Sequence, residues 1–316
     1  MPHRPLSALF SLLCASAAWA QDDALLPTHL IESGQVFGTA TFRYLQGKGD
    51  AEILGVKGDF KQKAYFLQLD AGVGLGMGFE IDASIAGEFS GSTRADFPGA
   101  AVEFESESRG FSDLALAGIY RLLKDDKALP QLIVGAIVVA PVGNDKKGQP
   151  KTVVGGIQTQ DGTESGLGQG VWHYGLEAGI SKNLVVVEPY LLTSYVFGDK
   201  RTENGVHEDR SDVWSLTVGA QWHLSPQATI DTRAIFNREG VDKTENNGSR
   251  AKEEQHFTYS GQVSLYAHLG GPATLVIGGG ATFLEDHEVN DLAQLNIKND
   301  YVWFVQIGIH LLLGGK

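Results

Sequence analysis

Asp300-Tyr301-Val302-Trp303-Phe304-Val305-Gln306-Ile307-Gly308-Ile309-His310-Leu311-Leu312-Leu313 is the stretch on which the fold turns. Successive side chains of a strand point to opposite faces. Tyr301, Trp303, Val305, Ile307, Ile309, Leu311 and Leu313 therefore share one face, and all are large and apolar. Val302, Phe304, Gln306, Gly308, His310 and Leu312 share the other, which is mixed and partly polar. About 9–11 residues of tilted strand cross a bilayer, so the stretch is long enough. Two surroundings fit it: a second packed sheet, as in a sandwich, or lipid around a barrel.

The start of the chain favours export. Residues 1–20 carry His3 and Arg4, an apolar run from Leu6 to Ala18, and Ala18-Trp19-Ala20 before Gln21. That pattern predicts a cleaved secretory signal rather than a retained anchor. The one cysteine, Cys14, lies inside it. The mature chain then has no disulfide despite leaving the cytoplasm, and its fold alone must stabilise it.

Composition narrows the class further. The formal net charge is −13, which argues against a nucleic-acid partner. A mean hydropathy of −0.09 is too low for a bundle of membrane helices. A barrel shows such an average because only alternate residues meet lipid. The longest uncharged stretch after the signal, residues 256–284, is long enough for a membrane helix. Gly270-Gly271-Pro272 and Gly278-Gly279-Gly280 break it, so a hairpin is the better reading.

The alternation predicts twelve strands, roughly 34–45, 62–75, 78–90, 110–122, 131–142, 170–182, 184–197, 212–224, 227–238, 256–269, 272–284 and 299–313. Long polar connections at 46–61, 91–109, 143–169, 198–211, 239–255 and 285–298 alternate with short ones. A sandwich has no reason to gather every long connection at one end. An outer-membrane barrel has short periplasmic turns and long external loops. The expectation is all-β: a single transmembrane antiparallel barrel over residues 34–316, with both termini periplasmic. Residues 21–33 form a periplasmic segment or a small insert. The last strand must pair with the first, because no backbone group goes unpaired in lipid.

With the oily faces outward, the interior receives the acids Asp70, Glu80, Asp82, Glu88, Asp113, Glu177, Glu188 and Asp231. It also receives Arg43, Arg121 and Arg233, with His173, His223, His268 and His310. These residues either form a structural network that fills the barrel or line a pore that selects solutes. Strands 131–142 and 272–284 are apolar on both faces and say little about parity.

Catalytic signals are faint: there is no G-x-S-x-G and no H-E-x-x-H. A lipid hydrolase on a barrel wall needs a rim Ser–His pair facing lipid, and the predicted histidines face inward. Glu285-Asp286-His287-Glu288, with Asn290 and Asp291, resembles a Ca²⁺ loop only loosely and reads as a solvated acidic loop. No catalytic, cofactor or metal residues are assigned. The expected partners are outer-membrane lipid and lipopolysaccharide, the barrel-assembly machinery and a small-molecule solute.

Gly110-Phe111-Ser112-Asp113-Leu114-Ala115-Leu116-Ala117-Gly118-Ile119-Tyr120-Arg121 resembles the "G-x-G-D-L-x-L-x-x-K-Y" strand of a family of outer-membrane transporters, the MetA-pathway-of-phenol-degradation type. Val139-Ala140-Pro141-Val142-Gly143 looks like that family's "L-P-T-G" exit. Gly162-Thr163-Glu164-Ser165-Gly166-Leu167-Gly168-Gln169 is similar to its glycine-rich approach to the next strand. Ser112 stands where the family has Gly, and the chain ends in Gly314-Gly315-Lys316 rather than a terminal Phe. The resemblance implies an outer-membrane channel for small aromatic or apolar compounds, and it assigns no residue a role. Beside this passive channel stand two other readings: a closed structural or binding barrel that uses its long loops, and a lipid-active hydrolase.

Overall fold

A computed structural model describes residues 30–316 except 127, 147, 204–205, 247–248, 291–294 and 315–316. The expected signal, residues 1–20, and most of the segment 21–33 lie outside the described residues.

Twelve strands make the wall. They are β1 (Val36–Ile53), β2 (Val56–Gly76), β3 (Phe79–Phe97), β4 (Leu114–Leu123), β5 (Gln131–Ala140) and β6 (His173–Ser181). Then come β7 (Val187–Gly198), β8 (Val213–Ser225), β9 (Ala228–Glu239), β10 (His256–Gly270), β11 (Ala273–Leu284) and β12 (Leu295–Leu313). Each pairs antiparallel with the next, and β12 closes on β1 from Val36 opposite Leu313 to Ile53 opposite Leu295. The closed wall is a transmembrane barrel without a free edge. The uncharged stretch 256–284 is the β10–β11 hairpin, turned at Gly270 and Gly271 with φ of 94° and 59°.

The parity of the last strand sets the faces. Trp303, Val305, Ile307, Ile309, Leu311 and Leu313 are exposed, while Val302, Phe304, Gln306 and His310 are buried. An exposed apolar belt on a closed barrel is the surface that lipid covers. Aromatic rings mark its outer edge. Tyr44 lies 5.0 Å from Tyr65 and 5.5 Å from Trp303, and Phe236 lies 5.9 Å from Tyr259. Phe79, Tyr120 and Trp222 are exposed near the other edge. At that periplasmic end the turns are tight. Gly76-Met77-Gly78 has positive φ throughout, at 94°, 54° and 79°, a left-handed course in which glycine costs least.

The long connections differ from expectation. Residues 46–61 are not an irregular loop: β1 and β2 run on and meet at Leu54-Gly55, with φ of 49° and 81°. The reason lies in the outward face. On β2 it reads Lys57, Asp59, Lys61 and Lys63, then Tyr65, Leu67 and Leu69. Above the belt that face meets water rather than lipid, so the strand continues with polar residues outward and looks like a loop. Inward lie Phe60, Ala51, Ala95, Phe97 and Ile297, a buried apolar core above the membrane. Short antiparallel pairings likewise occupy part of each remaining long connection, as with 151–154 against 157–160 and 287–290 against the start of β12.

The expected strand 110–122 also divides. Residues 102–111 return from an external hairpin against β3, and β4 starts only at Leu114. Ser112 forms the corner: its N–H donates to the Ala86 carbonyl (2.7 Å) and its Oγ accepts from the Ala86 N–H (2.9 Å). Satisfying that rung on β3 turns the chain, so Ser112 and Asp113 are not part of either strand.

Charge placement tests this assignment of faces. Ile307→Arg puts a cation on the lipid face and should destabilise the folded barrel by about 2–4 kcal/mol. Ser84→Arg faces inward opposite Asp70 and should cost far less. Urea unfolding in lipid vesicles measures both, and equal losses would contradict the faces.

Candidate pore

The inward positions of the twelve strands face one lumen, and most of the predicted interior residues are buried or half-buried on that side. Arg43, Glu80, Glu88, His173, Glu177, Glu188, Asp231, Arg233 and His310 are buried. Asp70, Asp82, Asp113, Arg121 and His223 are half-buried, and His268 is exposed near the periplasmic rim.

Most are tied to neighbours on the same or the next strand. Arg233 forms an ion pair with Asp231 at 2.5 Å, and the Tyr190 hydroxyl donates to the other Asp231 oxygen at 2.8 Å. Arg43 donates to Gln306 Oε1 at 2.9 and 3.1 Å, and its guanidinium lies 4.9 Å from the Phe304 ring centre. Ser108 donates to Glu88 at 2.5 Å. Thr39 and His310 are hydrogen-bonded at 2.9 Å, and His268 and Thr274 at 2.8 Å. His223 approaches Glu188 at 3.9 Å. Asp70 accepts from Gln68 at 3.0 Å. Charges that would be costly in lipid thus meet polar partners inside.

One arc of the wall is apolar inside as well as out. Ile133, Leu192 and Ile119 form one inward cluster, and Ile137, Val139 and Val196 with Ala115 and Ala117 form another. The two-sided apolarity of β5 was visible in the sequence, but its inward half could not be assigned a use without the β4 and β7 side chains packed against it.

Two segments turn into this lumen. At the periplasmic end, Leu30 packs onto Ile133 and Leu192. Arg121 donates to the Leu30 carbonyl at 2.9 Å, and the Ile31 N–H donates to Glu80 Oε2 at 2.6 Å. The stretch before β1 is therefore drawn inside rather than left as a tail. At the outer end the β5–β6 connection folds inward. Its Leu167 packs against Leu45, Phe66, Val302 and Phe304, on β1, β2 and β12. The connection gets there along strand 102–111, beside β3: Arg109 N–H donates to Ser165 O at 3.0 Å and Ser165 N–H donates to Glu107 O at 2.9 Å.

Asp113 holds that connection. Its carboxylate accepts the N–H of Gly143 at 2.9 Å and of Gln169 at 2.8 Å. One side chain thereby clamps both ends of the inward excursion. The sequence marked Asp113 as interior but gave no sign of what it holds, because its partners are backbone groups 30 and 56 residues away.

Solved structures share the architecture. An outer membrane channel from Pseudomonas putida F1 is 12% identical and aligns over 92% of this chain and 100% of its own, with a TM-score of 0.58. The transport unit of the autotransporter AIDA-I from Escherichia coli is 8% identical over 98% and 99%, with a TM-score of 0.52. At such identities the likeness establishes a shared barrel fold. No family model matches the chain, and no curated protein matches it.

Asp113→Ala removes two hydrogen bonds to a charged acceptor, each worth about 1.5–3 kcal/mol. The 143–170 excursion should then open more often, and trypsin should cut within it at least about tenfold faster in folded barrels. Unchanged cleavage would mean that Asp113 is not the clamp.

Proposed function

We propose that this chain is an outer-membrane channel through which small solutes with apolar or aromatic bodies pass without an energy source. The observation that carries the reading is the closed twelve-stranded wall, whose inward apolar clusters each stay on nearby strands. Eight-stranded barrels fill with their own side chains, whereas wider ones leave room. Here the interior clusters stay along the wall, and the space between is narrowed at its two ends by short segments.

The lining fits such a solute. The inward apolar arc on β4, β5 and β7 offers a surface for an apolar body, and the Arg43–Phe304 pair offers a stacking edge. Arg43, Asp70, Glu80, Asp82, Glu88, Asp113, Arg121, His173, Glu177, Glu188, His223, Asp231, Arg233, His268 and His310 supply the polar remainder of the lining. Two further facts support placing the chain with outer-membrane transporters of the MetA-pathway-of-phenol-degradation type. The motif residue Asp113 is the one that clamps the inward connection, and a structure of similar fold is described as an outer membrane channel. A pore of this origin belongs in the outer membrane and is exported by a cleaved signal.

Planar-bilayer recording of the folded barrel tests the reading. A small conductance is expected, larger in Asp113→Ala, with aromatic solutes reducing the ionic current more than sugars of similar size. Silence from both proteins would leave a closed structural barrel.

Selectivity follows from the lining charge. Eight interior acids face three arginines, and a narrow tube amplifies that excess, so cations should be preferred. Glu80→Gln with Asp82→Asn should lower the cation-to-anion permeability ratio obtained from reversal potentials in a salt gradient. An anion-selective wild type would contradict the assigned lining.

A further inference from the structure

At the outer end of the barrel, three metal-binding side chains meet. Glu253 follows the external strand 249–252, His256 opens β10, and His287 lies in the strand 287–290. One ligand atom from each lies within 4.8 Å of the other two, and all three residues are buried. Main-chain bonds bring their segments together: Glu254 N–H donates to Glu288 O at 2.9 Å, and Glu285 N–H donates to Phe257 O at 2.9 Å.

The ring chemistry fits ligation. A backbone carbonyl can only accept, so His287 Nδ1 donates to Glu285 O at 2.9 Å. His256 Nδ1 donates to Glu254 O at 3.3 Å in the same way. In a neutral imidazole the other nitrogen then carries a lone pair. A second-sphere carbonyl on one ring nitrogen is the usual means of orienting a ligating histidine. The rings stack with centres 4.1 Å apart, so both present nitrogens to one region.

The carboxylate side points the same way. Glu253 Oε1 lies 3.6 Å from His287 Nε2, the nitrogen that the Glu285 carbonyl leaves with its lone pair. Neither Glu253 Oε1 nor His256 Nε2 has a hydrogen-bond partner, although both are buried. Such atoms are costly unless something meets them. Glu239 stands 3.8 Å from His256 Nε2 and is a second buried carboxylate at the spot.

We propose that Glu253, His256 and His287 form a binding site for a divalent transition-metal ion of the zinc class, which clamps the two outer connections together. Two imidazoles and one carboxylate suit such an ion and disfavour Ca²⁺ or Mg²⁺, which take oxygen ligands. Zinc bonds of about 2.1 Å place tetrahedral ligands about 3.4 Å apart, so the three groups need only draw modestly inward. Glu239 is placed to supply or orient the fourth ligand. This site replaces the acidic Ca²⁺ loop weighed from the sequence: only His287 of that loop contributes, and its partners come from the preceding connection.

The test is calorimetric titration of the full barrel, stripped of metal in detergent micelles, with Zn²⁺. One ion per chain is expected. Co²⁺ should give visible absorption of tetrahedral intensity, displaced by Zn²⁺. His287→Ala and the near-isosteric Glu253→Gln should each weaken Zn²⁺ binding at least about 100-fold, while the exposed His207→Ala should leave it unchanged. Heat-dependent gel migration identifies folded barrels, and Glu253→Gln decides the matter if His287→Ala fails to fold. No saturable binding to wild type by about 1 mM Zn²⁺, or undiminished affinity in a folded Glu253→Gln or His287→Ala barrel, would overturn the site.

Discussion

Every other feature of this barrel depends on one constraint: a strand in hydrocarbon must pair both of its edges. Each unpaired peptide group there costs several kcal/mol. The chain meets this by bringing β12 back to β1 along nearly the whole length of both. That closure fixes the register of all twelve strands together. A slip of one residue in β12 would turn Ile307 and Ile309 inward and expose Gln306 and His310 to lipid. The apolar belt and the polar lumen are therefore two consequences of a single set of hydrogen bonds.

The parts of the fold that obey this rule were legible in the sequence. Strict alternation in 300–313, two tryptophans on one face of β8, and glycine at the short turns located the wall strands to within a few residues at most ends. Legibility failed where lipid ends. On β2 the outward face changes from Leu69 and Leu67 through Tyr65 to Lys63 and Lys61. A reader who expects oily outward residues takes that change for a loop. The strand in fact continues, and only its solvent has changed. Phe60 and Phe97, inward throughout, were the signal available.

The lumen was half legible for a related reason. Which side chains point inward is a matter of parity, and parity can be read. What the inward groups touch depends on strands that are neighbours only after closure. Asp231 reaches Tyr190 on β7 across β8, a contact no linear pattern announces. Leu30, beside Ile31, and Leu167, between Gly166 and Gly168, were harder still. Nothing local says that such a residue will turn into a barrel rather than rest on its rim.

Those two leucines also explain why the wall can remain polar inside. A barrel filled by its own side chains would need complementary groups meeting across the axis. This one instead satisfies its charges along the wall, through Asp231–Arg233, Arg43–Gln306 and Ser108–Glu88. The axis is left to two short segments, one held by Asp113 and the other by Arg121 and Glu80. The same inward parity, carried past the aromatic belt, places Glu239 opposite His256 at the ends of β9 and β10. There the two flanking external connections bring Glu253 and His287 to the same face. Closure thus sets the outer cluster as well as the pore lining, since shifting either strand by one residue would turn His256 or Glu239 away from the others.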